Sequence, residues 1–327
     1  MKKRIWIYIA CVACMIAATT CFAGCAPDDS GALTMIAPDG ATALAAAQTA
    51  HVGSIGGKAV DVSIVPADQV AARAKDADMA ILPANEAATL IGAGLPYAVA
   101  GIVTSGNLYM IGTDDSVREP GELVGKQVVS IGQGKLPEFI FRALLLAEGI
   151  ATNASAGGVT LEYANEGSAV IARLMQARAQ GKSMYGIVGE PAVSAAVGKG
   201  LVEVLDLQSL WQSHTDSAHV GYAQAVLIVR NELLADRDWA AALDAWMQTN
   251  ADYLSQHADE AIGAVRAIYP QTSLPQTLPA RVIERCNVGY AEMPASRAIL
   301  ESTLRAVYEL QPAAVGGKMP EDAFYRA

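Results

Sequence analysis

From Leu33 onward, short apolar runs alternate with stretches rich in helix formers. Leu33–Ala37, Met79–Leu82, Ala98–Val103 and Leu108–Gly112 are compact apolar runs, and Val60–Val65 (VDVSIV) alternates with period two, so all five read as strands. Ala41–Ala50, Asp68–Lys75 and Glu86–Ala93 lie between them and have helical composition. A β-α-β-α-β series predicts a parallel sheet with helices on both faces. The middle of the chain repeats the theme. Gln127–Ile131, Val159–Tyr163, Tyr185–Val188 and Val202–Leu205 read as strands. Between them lie helical stretches at Glu138–Glu148 (stopped by Gly149), at Ser168–Ala179, and from Pro191 to Val197. After one more strand, Ala223–Val229, the pattern turns helical over Asp236–His257, Asp259–Ile268, Ala280–Arg285 and Ala295–Glu309. Pro270, Pro275 and Pro279 punctuate this last third.

The first residues follow another pattern. Lys2, Lys3 and Arg4 precede an uncharged apolar run, Ile5–Ala18, which is the layout of a secretory signal. The run is short of the ~20 apolar residues a spanning helix needs. Phe22-Ala23-Gly24-Cys25 then resembles the lipobox of bacterial lipoproteins, with Phe22 where that family usually has Leu. The resemblance implies cleavage before Cys25 and a lipid on its thiol, with residues 25–31 as a tether. An uncleaved anchor or an ordinary secreted protein remains the alternative. Cys21, preceded by two threonines, is a poorer candidate.

The chain has 327 residues, and 52% hydrophobic content against 17% charged side chains excludes wholesale disorder. Its formal charge is −10; without residues 1–24 the remaining 303 residues carry −13. An acidic chain with no basic run is a poor partner for nucleic-acid phosphates. Of five cysteines only Cys286 lies beyond Cys25, so no disulfide is expected within the body. His214 and His219 are five apart, which is not the spacing of a helical metal pair, and His51 and His257 are scattered. No metal or cofactor is therefore expected. With 6% aromatic residues a long sugar ligand is disfavoured.

Several segments together resemble a known family. They are Pro38-Asp39-Gly40-Ala41, Asp78-Met79-Ala80-Ile81-Leu82-Pro83-Ala84-Asn85, Leu123-Val124-Gly125-Lys126-Gln127-Val128 with Gly132-Gln133-Gly134, Gly186-Ile187-Val188-Gly189-Glu190-Pro191-Ala192-Val193, and the tail Gly316-Gly317-Lys318-Met319-Pro320 with Phe324-Tyr325. In this order they resemble the type II periplasmic substrate-binding proteins of ABC importers. The likeness is narrower to the branch of thiamine-precursor and alkanesulfonate binders. The resemblance implies an α/β clamshell of two lobes, each a mostly parallel sheet flanked by helices. Lobe one would hold residues 32–108 and 223–327, and lobe two residues 109–222. It implies a monomer that catalyses nothing. Such a chain captures a small organic solute (a sulfonate, pyrimidine or related heterocycle) and delivers it to ABC permease and ATPase subunits, outside the membrane and held to it by lipid. A tethered enzyme or a sensor lobe on the same fold is the alternative.

Ligands of open α/β sheets sit beyond the carboxyl ends of strands, at helix N-termini. Three loops meet that description. Asp39, Gly40 and Ala41 offer free N–H groups. Asn85 can donate and accept. Gln133, Gly134 and Lys135 combine close backbone approach with a positive charge suited to a carboxylate, sulfonate or phosphate. Thr104 and Ser105 lie at the first crossing between lobes, and Glu190 begins the loop resembling the family's acidic cleft edge. The same residues also serve turn geometry alone, and Glu190 also suits a helix N-terminus.

Overall fold

The computed structural model describes residues 31–152, 157–215 and 221–326. The signal and Cys25 lie outside the described residues, as does His219. Leu33–Ala327 forms one compact unit. Its strands are β1 (Leu33–Pro38), β2 (Ser54–Ile55), β3 (Lys58–Val65), β4 (Met79–Pro83), β5 (Tyr97–Ser105), β6 (Leu108–Gly112), β7 (Gln127–Ile131), β8 (Thr160–Ala164), β9 (Tyr185–Gly189), β10 (Val202–Asp206), β11 (Ala223–Arg230) and β12 (Val288–Glu292). They make a seven-stranded sheet, β12-β5-β11-β4-β1-β3-β2, and a five-stranded sheet, β10-β6-β9-β7-β8.

The two sheets share one plan. Three parallel strands stand in the order second, first, third: β3-β1-β4 in one and β8-β7-β9 in the other. Next comes a strand running the opposite way, β11 in the first sheet and β6 in the second, and each arrives from the other sheet. β5 and β10 complete the plan, each antiparallel to that incoming strand. The sheets are thus mixed where the strand–helix alternation predicts parallel ones. The reason is geometric. The chain leaves β5 at the carboxyl edge of the first sheet, so β6 enters the second sheet at the facing edge and runs away from it. β11 repeats this on the return. The edge strands β2 and β12 have no counterpart in the sequence reading, and helix Leu207–His214 contains Trp211, which falls in a helical stretch of the sequence.

Burial explains why the central strands are continuously apolar. In β4, Met79 and Ile81 face a core with Leu44, Leu227 and Val229, while Ala80 and Leu82 face another with Val99, Leu300 and Leu304. Both faces are covered, so alternation gives way to an apolar run. Helices Arg237–Gln256 and Ala258–Ile268 add Leu243, Met247 and Ile262 to the first core. Helices Ala84–Gly92 and Arg297–Leu310 cover the second. That second core continues into the other lobe through Phe139, Ile140 and Leu144 of helix Leu136–Ala147. Tyr109, Val129, Val170, Leu174 and Val188 form the remaining core of lobe two.

The two crossings touch. The Gly106 N–H donates to the Tyr222 carbonyl at 2.8 Å. A Cβ at Gly106 would stand 2.4 Å from the Tyr222 ring, so only glycine allows this approach. Among the described residues no helix is long and apolar enough to cross a membrane.

Candidate functional site

The carboxyl ends of β4 and β5 in one sheet meet those of β7 and β9 in the other, through Glu86 with Lys135 and Asn107 with Glu190, and the sequence-predicted residues fall on strand ends. Gly40 follows β1 with φ 98, a left-handed backbone that glycine adopts without strain. Asp39 is turned to its own lobe. Its carboxylate accepts from the Thr272 hydroxyl and, at 2.9 Å, from the Ser273 N–H. Ala41 is buried in the first turn after the loop.

Asn85 is buried in the first turn of the helix after β4. Its Nδ2 donates to the Ala314 carbonyl at 3.4 Å, and its buried Oδ1 has no partner. A carbonyl can only accept, so the Asn85 amide orientation is fixed by this contact. The next residue, Glu86, carries the first link between lobes. Its Oε1 lies 2.7 Å from Lys135 Nζ, while its buried Oε2 has no partner. Lys135 stands just before helix Leu136–Ala147, whose first turn is shaped by Glu138. Glu138 accepts from the Gly134 N–H at 2.6 Å, from Tyr163 at 2.9 Å and from Arg142 at 3.2 Å. Gln133 lies beside them, lining a polar depression of about 370 Å³ with Glu138, Arg142 and Tyr163. Burial, then the bond to Glu138, push the Tyr163 hydroxyl up to about 12.

At the first crossing Thr104 is fully buried and its hydroxyl has no partner. The Ser105 N–H donates to the Asn287 carbonyl at 3.0 Å. Asn287 in turn donates from Nδ2 to the Gly106 carbonyl and to Gln208 Oε1 on helix Leu207–His214, at 2.6 and 2.7 Å. Gln224 in β11 also carries a buried oxygen without a partner. Strand register brings these groups together. The residue after Gln224, Ala225, pairs with Thr104 on one side and Pro83, two residues before Asn85, on the other.

Glu190 precedes helix Ala192–Gly198, and its side chain is fully buried. One oxygen accepts from the Ser194 N–H at 3.1 Å, the expected use of an acid at a helix N-terminus. The other accepts from the Ser194 hydroxyl at 3.0 Å and from Arg285 Nε at 2.6 Å. Arg285 ends helix Ala280–Arg285 of lobe one. It also donates to Glu203 of β10 at 2.7 Å and lies 4.1 Å over the Tyr109 ring. Burial lowers the guanidinium's affinity for its proton, but the bonds from Glu203 and Glu190 outweigh it and raise its pKa. Burial, opposed by Arg285, pushes Tyr109 up to about 12.

The structure thus distributes the predicted residues around facing loops, and adds Glu86, Gln224, Arg285 and Asn287, which the sequence reading missed. Glu86 had a local signal, an acid in the first turn of a helix after a strand. Arg285 had none. His214 pairs with Glu148 at 2.8 Å. Among the described residues no group of three or more His, Cys, Asp or Glu could hold a metal ion. Cys286 is buried, which pushes its thiol up to about 12.

Two like-ordered sheets that each receive one strand from the other define the architecture. The chain has the fold of a periplasmic binding protein clamshell. A solved structure described as an ABC transporter from Parabacteroides distasonis is 23% identical, with a TM-score of 0.72, covering 91% of this chain and 99% of that one. The periplasmic aliphatic sulphonate binding protein SsuA from Escherichia coli is 13% identical at a TM-score of 0.62, covering 88% and 90%. The alkanesulfonate-binding protein SsuA from Xanthomonas axonopodis pv. citri, bound to MOPS, is 14% identical at 0.56, covering 89% and 95%. At these identities the likeness is one of fold. No family model and no curated protein matches the chain.

Proposed function

We propose that this chain is the solute-binding component of an ABC importer. It captures a small organic solute between its lobes and hands it to permease and ATPase subunits. The observation that carries this reading is the convergence of loops from both lobes on one another. Lys135 meets Glu86, and Arg285 meets Glu190, across facing strand ends where α/β sheets hold ligands. The structural neighbours, titled as ABC-transport and sulfonate-binding proteins, support the same role. In this reading residues 32–108 and 223–327 form one lobe, residues 109–222 the other, and the crossings at Gly106 and Tyr222 act as the hinge. Residues 1–24 are a signal and Cys25 carries a lipid, so the body works on the outer face of the membrane. Capture needs no bond making, and the cleft groups serve as hydrogen-bond partners.

A thermal-shift screen with small sulfonates, amines, amino-acid derivatives and heterocycles tests the proposal. A solute at 100 times its dissociation constant adds about 2.7 kcal/mol of stability. Stabilisation without chemical change of the solute is the expected result. Conversion of the solute to product would make the chain an enzyme and overturn the reading.

A further inference from the structure

We infer that the solute presents hydrogen-bond donors on nitrogen, as a protonated amine or amidine does, and that anionic sulfonates are selected against. This rests on the reading of the cleft as a solute site and concerns which chemistry that site takes. The groups left without partners at the strand ends of lobe one are Asn85 Oδ1, Glu86 Oε2, Gln224 Oε1 and the Thr104 hydroxyl. Three of the four can only accept a hydrogen bond, and the hydroxyl can do so. Asn85 and Thr104 are 4% and 0% exposed, so both groups are held away from bulk water. A buried acceptor without a donor is unfavourable in the unliganded protein, and a ligand that brings the donor recovers that loss.

The charges point the same way. Three carboxylates, Glu86, Glu190 and Glu203, stand at the two contacts between lobes against two cations, and the Glu138–Arg142 pair beside Lys135 is internally neutral. Lys135 is engaged by Glu86, and Arg285 is shared between Glu190 and Glu203. Asp39 receives only neutral donors from Thr272 and Ser273. Both cations are committed to carboxylates and the balance of charge is negative. A sulfonate would bring three more acceptor oxygens and a like charge to this surface. An ammonium or amidinium brings donors and the opposite charge.

The test uses the full chain and two probes with one ring and opposite complementarity, benzamidine and benzenesulfonate. They are followed by matched sets of small amines and amidines and of small sulfonates, carboxylates and phosphates. Stabilisation by amine or amidine members and by no anion is expected. The variant Thr104→Val replaces an unpartnered hydroxyl by a methyl group of the same shape. It should melt no lower than the parent when unliganded, yet bind the best amidine or amine about tenfold more weakly. Stabilisation by anions, abolished in Lys135→Ala, overturns the inference and leaves solute capture standing. Silence from every member of both sets overturns the inference, while solute capture is decided by the wider screen that includes neutral heterocycles. Binding of a cation with unchanged affinity in both Thr104→Val and Glu86→Gln also overturns it, because the acceptors named here would then not be engaged.

Discussion

Arg285 Nε lies 2.6 Å from Glu190 Oε1, and the same guanidinium reaches Glu203 at 2.7 Å, so one side chain of lobe one holds two carboxylates of lobe two. The Glu190 side chain is fully buried, and removing its cation leaves a charge held only by the neutral donors of Ser194. Arg285→Ala should therefore destabilise the protein by about 2–3 kcal/mol, below the full cost of a dry pair because Arg285 is itself 22% exposed. Arg285→Lys should recover less than half, since a single ammonium cannot serve Nε and Nη2 partners together or stack on Tyr109. Urea denaturation measures both. A lysine variant as stable as the parent would show that the fork geometry is irrelevant.

Lys135 and Glu86 also join the lobes, at 2.7 Å, but the lysine side chain is 46% exposed. Such a pair contributes under about 1 kcal/mol to stability. Its effect falls on lobe separation instead. Lys135→Ala should leave the melting temperature almost unchanged and enlarge the radius of gyration measured by small-angle X-ray scattering. Added salt should enlarge it in the parent in the same direction. Identical scattering curves for parent and variant would show that this pair does not bias closure.

The strands were legible because their apolar runs are local. VDVSIV at Val60–Val65 and MAIL at Met79–Leu82 lie within β3 and β4. β12 was not, because VGYAE at Val288–Glu292 carries only an edge strand's partial burial and a glycine. Reversed β11 and β6 follow from the crossings, a three-dimensional constraint that periodicity does not carry. The predicted loops were found at the strand ends for the same reason the strands were, since turn chemistry is local. The lobe-to-lobe contacts were not legible. Arg285 meets partners 95 and 82 positions earlier, and Lys135 meets Glu86 at a separation of 49. No spacing rule links such residues.

Asp114, in the loop after β6, gives the fold a pH dependence. Its carboxylate accepts from the hydroxyl of Ser183, the N–H of Ser116 at 3.0 Å and the hydroxyl of Tyr185 at 2.8 Å. The Ser183 hydroxyl and then the Ser116 side chain lead in holding its pKa well below the usual carboxylate range, with smaller help from Tyr185 and the Ser116 N–H and against a burial effect that raises it. A depressed folded pKa contributes stability that is complete above the unfolded value, about 3.9, and is lost as pH falls below it. Asp114→Asn should thus cost about 1–2 kcal/mol at pH 7. The gap from the parent should narrow from about pH 4 downward, as followed by thermal melts across pH. A gap that stays constant to pH 2 would remove Asp114 as the source.

Gly106 is packed under the Tyr222 ring where the two crossings touch, with 2.4 Å available to a Cβ and Tyr222 itself fully buried. Neither group can move aside without opening the crossing, where Gly106 N–H meets the Tyr222 carbonyl. Gly106→Ala should destabilise by about 2–3 kcal/mol through overpacking. Tyr222→Leu frees the space, so the double variant should lose clearly less than the sum of the two single losses. Strict additivity in denaturation would mean that the ring and the glycine are not in conflict.

Asn85 separates a binding role from a folding role. Its one hydrogen bond, to the Ala314 carbonyl, is long at 3.4 Å, and its Oδ1 has no partner. Little is lost from the unliganded fold when the amide is removed, because the unpartnered Oδ1 is itself unfavourable and offsets the loss of the long bond to Ala314. Asn85→Ala should keep the parent's melting temperature within about 2 °C, because 1 kcal/mol moves the midpoint of a chain this size by only about 2 °C. If Oδ1 takes a donor from the solute, the same variant should bind about tenfold more weakly in calorimetric titration with the best solute of the screen. Equal affinity with an unchanged melting temperature would place Asn85 outside the binding site and leave it a buried residue of the first helical turn.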